Sequence, residues 1–516
     1  MKRSYLFLFI IFLASSQFLF AQKRPTGVVI NKATIAKTPR KVQLSVRSFA
    51  DLPSSYSLEK WAPTPGDQGD HGTCVAFANG YGLATLLYAK THNITDKTMI
   101  DEYIFSPSYL YEQIKDKGDD DCQNGSDPIK ALYTMIDNGD ALMKTVPYNC
   151  EVSLTDQAKA EAINYKLSEI AIVFAAKDML TVDDYIKAPD EIIKSTKKAL
   201  VEGTPVSTVY YLPESFFHIS SPVWETKPTD EQSDWKHACH AMLVVGYDDN
   251  KYGGAFRVMN SWGTNWGDGG YVWMRYNDFA KWCIMGIQAF PDPNTPGPHD
   301  LKKDDVKPAP DPNPAPDPAP DPYENVSITK LSGDIEFQTS TGDDMPVNKI
   351  SSRNLVVEDE KGAEDLVAYT MINSYTSGTK FRFYMNVNDE AYIYAFATDL
   401  SGKVNRILPY DDLTSTHVGS NSVIAFPSDT KVIKLDANAG TDYLLILYSR
   451  EQLDMNDMME AMNKTTGGLS AKIVAALGDK LISKEEITYS GDKVGFEINE
   501  DASGSVVPLM VEIKHE

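Results

Sequence analysis

The sequence predicts an α+β protein in two units: helices followed by strands, then a mostly-β region beyond a proline-rich spacer. Three observations carry this. Helical periods, Ile129-Leu132-Met135-Ile136 ending at Asn138-Gly139 and Ile192-Ile193-Ala199-Leu200 before Gly203, lie in the first part of the chain. β-rich runs follow them at Ala241 to Tyr247, Ala255 to Met259 and Tyr271 to Tyr276. Prolines then alternate with Asp, Asn and Ala from Pro308 to Pro322, a composition that takes extended polyproline geometry. At about 3.1 Å per residue this run spans about 45 Å, a semi-rigid spacer that implies few contacts between the units it joins.

The elements of the second unit read mostly as strands. Lys380 to Val387 and Ala391 to Thr398, separated by a short polar turn, read as a hairpin, with further strands at Tyr443 to Tyr448 and Val506 to Ile513. Helices are expected around Asp454–Met462 and Leu469–Leu477. Phe381, Phe383, Tyr392, Tyr394 and Phe396 alternate along the hairpin; core packing is the first reading, a sugar- or peptide-binding strip the second.

Composition narrows the function. A chain of 516 residues suggests two or three domains. A net charge of −23 argues against a nucleic-acid binder, which needs a basic face to displace counterions. Lys2-Arg3, the apolar run Tyr5 to Leu13 and the small residues ending at Ala21 form a secretory signal pattern, so export to periplasm or exterior is expected. No later run approaches the length of a membrane helix, so membrane insertion is not expected. The expected organisation is a signal peptide at 1–21, an extension at 22–51, a first domain at 52–290, a linker at 291–322 and a β-rich domain at 323–516.

Three stretches hold the chemistry. In Gln68-Gly69-Asp70-His71-Gly72-Thr73-Cys74 a glycine-rich loop feeds a helix opening at Cys74, where the backbone dipole favours a thiolate. His240 stands at the mouth of the strand His240-Ala241-Met242-Leu243-Val244-Val245-Gly246-Tyr247. Asn260-Ser261-Trp262-Gly263 forms a turn after another strand. Each has a bland reading alone: a small buried thiol, a satisfied histidine, turn chemistry. Cys, His and Asn in that order, with a Gln six residues before the Cys, make the set for thiol acyl transfer.

These motifs resemble the papain family of cysteine peptidases over about residues 52–290. Leu52-Pro53, Phe105-Ser106-Pro107, Val245-Gly246-Tyr247-Asp248-Asp249 and Gly269-Gly270-Tyr271 are similar to its exported bacterial branch. The resemblance implies a two-lobed fold, one lobe helical and one barrel-like, with Cys74 as nucleophile and His240 as its acid–base partner. It implies Asn260 as the orienter of the imidazole, Trp262 as its cover and Gln68 as an oxyanion donor, a contribution of about 3 kcal/mol. It also implies Gly125, Ser126, Ala241 and Trp262 as substrate-binding positions, a Cys122–Cys150 disulfide, a peptide or protein substrate, and no cofactor or metal. The β-rich end loosely resembles accessory domains that supply no function, so its partner stays unknown. An exopeptidase, another thiol acyl-transferase or a catalytically idle peptide binder are the alternatives.

Several positions depart from the family pattern. Val75 replaces a common aromatic, and His71 stands at a usual disulfide position, where it either touches substrate or shapes the loop. The segment between Ala21 and Leu52 is about thirty residues, too few for the family's large inhibitory prosegment, so control of that kind is not expected. The pairing of Cys239 and Cys283 is left open; a metal cluster of His237, Cys239 and His240 is disfavoured because alternate strand residues face opposite ways. Asp119-Asp120-Asp121 reads as a solvated loop, with calcium as the alternative. Phe216, Phe217 and Trp224, in the region Tyr210 to Asp234, are candidates for the cleft wall.

Overall fold

The computed structural model describes residues 25–176, 188–230, 239–298, 330–350, 366–398, 403–498 and 501–516. The signal pattern at 1–21, the proline run at 308–322 and His237 lie outside them.

The first unit has the two lobes expected. Its helices start where side chains can take the orphaned amides. Asp127 caps Pro128–Asp137 through the N–H groups of Ile129 and Lys130, and Ser106 caps Pro107–Ile114 through that of Tyr109. Proline sits at the first helical position in both, where its missing N–H costs nothing. The helix opening at Cys74 has no side-chain cap. It runs through a wide turn, Phe77–Ala84, into Thr85–Thr91, and that wide turn is buried throughout between the lobes. Two glycines let it pass: a Cβ at Gly80 would lie 2.5 Å from Asp140 Oδ2, and one at Gly82 would lie 3.2 Å from Leu243.

The other lobe is an eight-stranded sheet among the described residues. Leu167–Ala175 forms one edge, followed by Cys283–Pro291, Val206–Tyr211, Cys239–Asp248, Ala255–Met259, Tyr271–Arg275 and Val223–Trp224, while the eighth, Ser55–Ser57, pairs with Cys239–Asp248 off this path. The strand expected to reach Tyr276 ends at Arg275, because Tyr276 opens the helix Tyr276–Trp282. His240 lies opposite Tyr210 on a central strand buried on both faces, which is why Cys239 to Tyr247 reads as an unbroken apolar run.

The β-rich unit corrects the hairpin. Lys380–Val387 and Ala391–Thr398 form as strands but belong to two different sheets. The first pairs with Ser332–Thr339 and Ser422–Phe426, the second with Gly440–Ser449 and Val404–Leu408. The polar turn between them is therefore a crossover from sheet to sheet. The five aromatics are core residues: Phe381 and Phe383 pack between the sheets, while Tyr392, Tyr394 and Phe396 pack under the helices Met455–Lys464 and Leu469–Leu477.

The expected scarcity of contacts between the units is also overturned. Phe290 meets the His417 ring at 4.0 Å, Ser415 Oγ donates to Glu169, and Lys198 donates to the carbonyls of Ser420 and Asn421, each at 2.9 Å. A polyproline spacer limits the reach of the two ends; it does not prevent them from docking.

Candidate active site

Cys74 is fully buried at the start of its helix. Its sulfur accepts from the Gly27 amide at 3.2 Å, and the amide of Ala241, immediately after His240, also favours its thiolate form. Burial outweighs these donors and pushes the thiol up to about 11.

His240 Nε2 lies 2.8 Å from Asn260 Oδ1, which also accepts the Ser261 amide at 2.8 Å. A carbonyl oxygen can only accept, so Nε2 carries the proton and Nδ1 presents its lone pair. Nδ1 is buried with no hydrogen-bond partner among the described residues. Burial holds the imidazole down at about 4, against the pull of Asn260. Trp262 stacks on the imidazole with centroids 4.8 Å apart, and Phe217 stacks on Trp262 at 5.5 Å. Phe216 and Trp224 back this wall from the core, placing the expected aromatics behind the histidine.

Gln68 is buried and aimed. Ser261 Oγ donates to its Oε1 at 2.6 Å, which fixes Nε2 as the outward donor. Nε2 donates to the His71 carbonyl at 2.7 Å and to the Pro25 carbonyl at 3.2 Å. Tyr148 holds the same loop through the Gln68 carbonyl at 2.8 Å. Neither Ser261 nor Tyr148 was singled out from the sequence, although Ser261 stands inside the Asn260 motif. His71 shapes the loop, with Nδ1 3.2 Å from the Asp121 carbonyl.

Gly125 and Ser126 face the cleft across a disulfide-bonded loop. Cys122 and Cys150 are bridged, and the Cys122 carbonyl accepts the Gly72 amide at 2.7 Å. Asp119 is buried, not solvated as expected, because Tyr111 and the amides of Gln123 and Asn124 enclose its carboxylate. Cys239 and Cys283 are buried outside any disulfide.

The cleft is filled by the chain's own N-terminal extension, which the sequence reading missed. Ser126 donates to the Gly27 carbonyl at 2.8 Å, the Val29 amide donates to the Ser126 carbonyl at 2.9 Å, and the Val28 amide reaches the Cys239 carbonyl at 3.4 Å. Val28 thus pairs with Ser126 in parallel register. The fit is narrow: a Cβ at Gly27 would lie 1.8 Å from the Gly72 carbonyl oxygen, and one at Gly125 would lie 2.4 Å from that of Gly27.

Residues 59–290 match the family description "Papain family cysteine protease". They form a papain-family cysteine protease domain. Residues 374–452 match a domain of unknown function (DUF4384). The chain is similar to a cathepsin L-like peptidase of Aedes aegypti, 28% identical over 222 residues, covering 42% of this chain and 57% of that protein. It is likewise similar to cathepsin L of Sarcophaga peregrina, 28% identical over 230 residues, covering 44% and 59%. The match therefore spans less than two thirds of the length of these relatives. Among solved structures, xylellain, a cysteine protease from Xylella fastidiosa, aligns at 22% identity and a TM-score of 0.41, covering 52% of this chain and 96% of that one. Among the described residues no helix is long and apolar enough to cross a membrane.

Proposed function

We infer that the protein is an exported peptidase that cleaves peptide bonds through Cys74, held shut by its own N-terminal extension. The observation that carries this reading is the tautomer of His240: Asn260 and Ser261 leave Nδ1 bare beside the strand residue whose amide meets the Cys74 sulfur. In an open cleft the thiol gives its proton to Nδ1, the thiolate attacks the substrate carbonyl carbon, and the imidazolium returns the proton to the leaving amine. Gln68 Nε2 and the Cys74 amide stabilise the oxyanion. Gly125, Ser126, Ala241 and Trp262 line the path of the peptide.

The closed state is inert for geometric reasons. The Gly27 N–H points at the sulfur, so the sulfur lies close to the amide plane of Thr26–Gly27. A nucleophile must approach a carbonyl carbon from above that plane. The thiol is also held protonated and the imidazole neutral, the reverse of the reactive pair. Export accords with the signal pattern and with a Cys122–Cys150 disulfide, which persists in oxidising compartments.

The test is the chain lacking residues 22–30, incubated with a mixed peptide library whose products are sequenced. Hydrolysis by that protein, abolished by Cys74→Ala in the same background, is the expected result. An idle peptide binder gives no products, and an exopeptidase gives only terminal ones.

A further inference from the structure

We propose that the C-terminal β-rich unit is the anchor of the cleft-filling segment: it grips residues 39–49 and so keeps residues 25–30 in place over Cys74. This rests on the reading of the Cys74 cleft as the active site, and it gives a role to the unit that matches only a domain of unknown function.

The extension beyond the cleft is built into both units. Asn31 caps the short helix Lys32–Ile35, whose Ile35 is buried in the first unit. The chain then runs between the units, bridged at Arg40 to Ile172 on one side and Thr414 on the other. The Pro39 carbonyl and Lys41 amide bond to both sides of Ile172, on the exposed edge strand of the first sheet. The intervening residue, Arg40, turns its own amide and carbonyl the other way, to the Leu413 carbonyl at 2.7 Å and the Ser415 amide at 2.8 Å. A single residue therefore has one neighbour in each unit, so the strap that covers the first sheet's edge at Ile172 is itself held by the second unit.

The grip tightens beyond Arg40. Val42 is 3% exposed and belongs to the core between the two C-terminal sheets. The Ser45 amide donates to the Val423 carbonyl at 2.8 Å, while Ser45 Oγ and the Val46 amide both donate to the Asp429 carboxylate, at 2.6 and 2.9 Å. Ser48 Oγ and Val423 exchange two further bonds, at 3.0 and 2.8 Å. Arg47 pairs with Glu336 at 2.8 Å and lies 3.6 Å over the Tyr384 ring. Residues 25–30 are held by main-chain bonds in the cleft and by the partial burial of Val28 and Ile30 against the first unit's core, with no side chain of theirs fully buried in either unit. Such a segment frays unless it is tied down nearby, and a tether raises its effective concentration at the cleft.

The experiment uses the full chain and reads two quantities: amide hydrogen exchange of residues 25–30, and the rate at which iodoacetamide modifies Cys74. The variant Ser48→Ala/Asp429→Ala removes strap bonds on the C-terminal unit and touches nothing in the cleft. Both rates are expected to rise on the order of tenfold. The chain lacking 22–30 sets the upper limit of labelling, and Ile35→Ala reports the competing anchor inside the first unit. The proposal is overturned if the double variant stays within twofold of the parent while Ile35→Ala opens the cleft. If the substitutions instead unfold the C-terminal unit, seen as lost protection across 383–387, release of 25–30 still supports the anchor and its retention overturns it. Absence of peptide hydrolysis in the chain lacking 22–30 would refute the peptidase reading alone, since exchange at 25–30 judges the anchor independently of turnover.

Discussion

The two halves of the N-terminal extension are held by different physics. Residues 25–30 are gripped mainly through their main chain, by Gln68, Ser126 and Cys239 and by the Cys74 sulfur, with Val28 and Ile30 only partly buried against the first core. Residues 39–49 are gripped largely through side chains, with Val42 in a core, Ser45 and Ser48 hydrogen-bonded, and Arg47 paired and stacked. A main-chain grip is indifferent to sequence except where a side chain would intrude. The cleft half is therefore specified by one missing Cβ, the anchor half by several present side chains.

The largest effect should come from adding that Cβ. Gly27→Ala places a carbon 1.8 Å from a backbone oxygen, Gly72 O, in a loop whose Gly72 amide is bonded at 2.7 Å to the carbonyl of the disulfide-bridged Cys122. The segment should be expelled, raising iodoacetamide labelling of Cys74 on the order of a hundredfold, close to the chain lacking residues 22–30. Labelling at the parent rate would mean that the cleft half is held by something other than close main-chain fit.

Acid should open the cleft half and spare the anchor half. His240 is held at about 4 in the closed state, below its ordinary value near 6.5, so protons bind more tightly to any state that exposes it. This contribution to closure is complete above about pH 6.5 and lost as pH falls toward 4. Cys74 is the mirror case, raised to about 11, so its contribution is complete below about pH 8.5 and lost above it. Between pH 7 and pH 5 exchange at residues 25–30, corrected for intrinsic rates, should rise about twentyfold. Exchange at 45–48, with no histidine beside it among these contacts, should change far less. Equal acceleration of both would show a general loosening instead.

What could be read from the sequence follows the same division. Gln68, Cys74, His240 and Asn260 were legible because acyl transfer demands particular side chains in a particular chain order. The helix ends at Asn138 and Gly203 were legible because local capping chemistry sets them. Pro25–Ile30 carried no signal, since main-chain bonds to Ser126 leave no mark on residue type. The Lys380–Thr398 hairpin failed for a related reason. Both strands alternate correctly, but which sheet each joins is decided by partners such as Gly440–Ser449, fifty or more residues away. The bare termini of the two units gave no hint of docking either, because the edge strand Leu167–Ala175 completes itself with Pro39–Lys41, a stretch with no β pattern of its own.

A third variant separates the chemistry from the grip. Asn260→Ala removes the acceptor that keeps His240 Nε2 protonated and Nδ1 bare. In the chain lacking residues 22–30 it should lower kcat/KM on the order of tenfold while moving either limb of the pH profile little, because Asn260 adds no charge. In the full chain at pH 7, where His240 is neutral in the closed state, it should change exchange at 25–30 less than about twofold, since the cleft bonds named above run to Gln68, Ser126, Cys239 and Cys74. A larger change at that pH would mean that Asn260 also shapes the wall the segment lies against, and not the imidazole alone.

The smallest expected effect sharpens the anchor half. Arg47 and Glu336 are both more than a third exposed, and pairs of that kind contribute at most about 1 kcal/mol. The Tyr384 ring adds a cation–π contact at 3.6 Å of similar size. Arg47→Ala should therefore speed exchange at 25–30 about threefold, below the effect of losing the Asp429 and Ser48 bonds. Salt divides the two parts. Raising ionic strength screens the Glu336 pair but leaves the stacked guanidinium nearly untouched. Arg47→Lys keeps the charge and loses the planar stack, so it should resemble the parent chain in low salt only to the extent that the ion pair matters. If Arg47→Lys matches Arg47→Ala at every salt concentration, the stack on Tyr384 is the whole contribution. The anchor half would then owe nothing to the Glu336 ion pair, leaving Val42, the Asp429 and Val423 bonds and the stack.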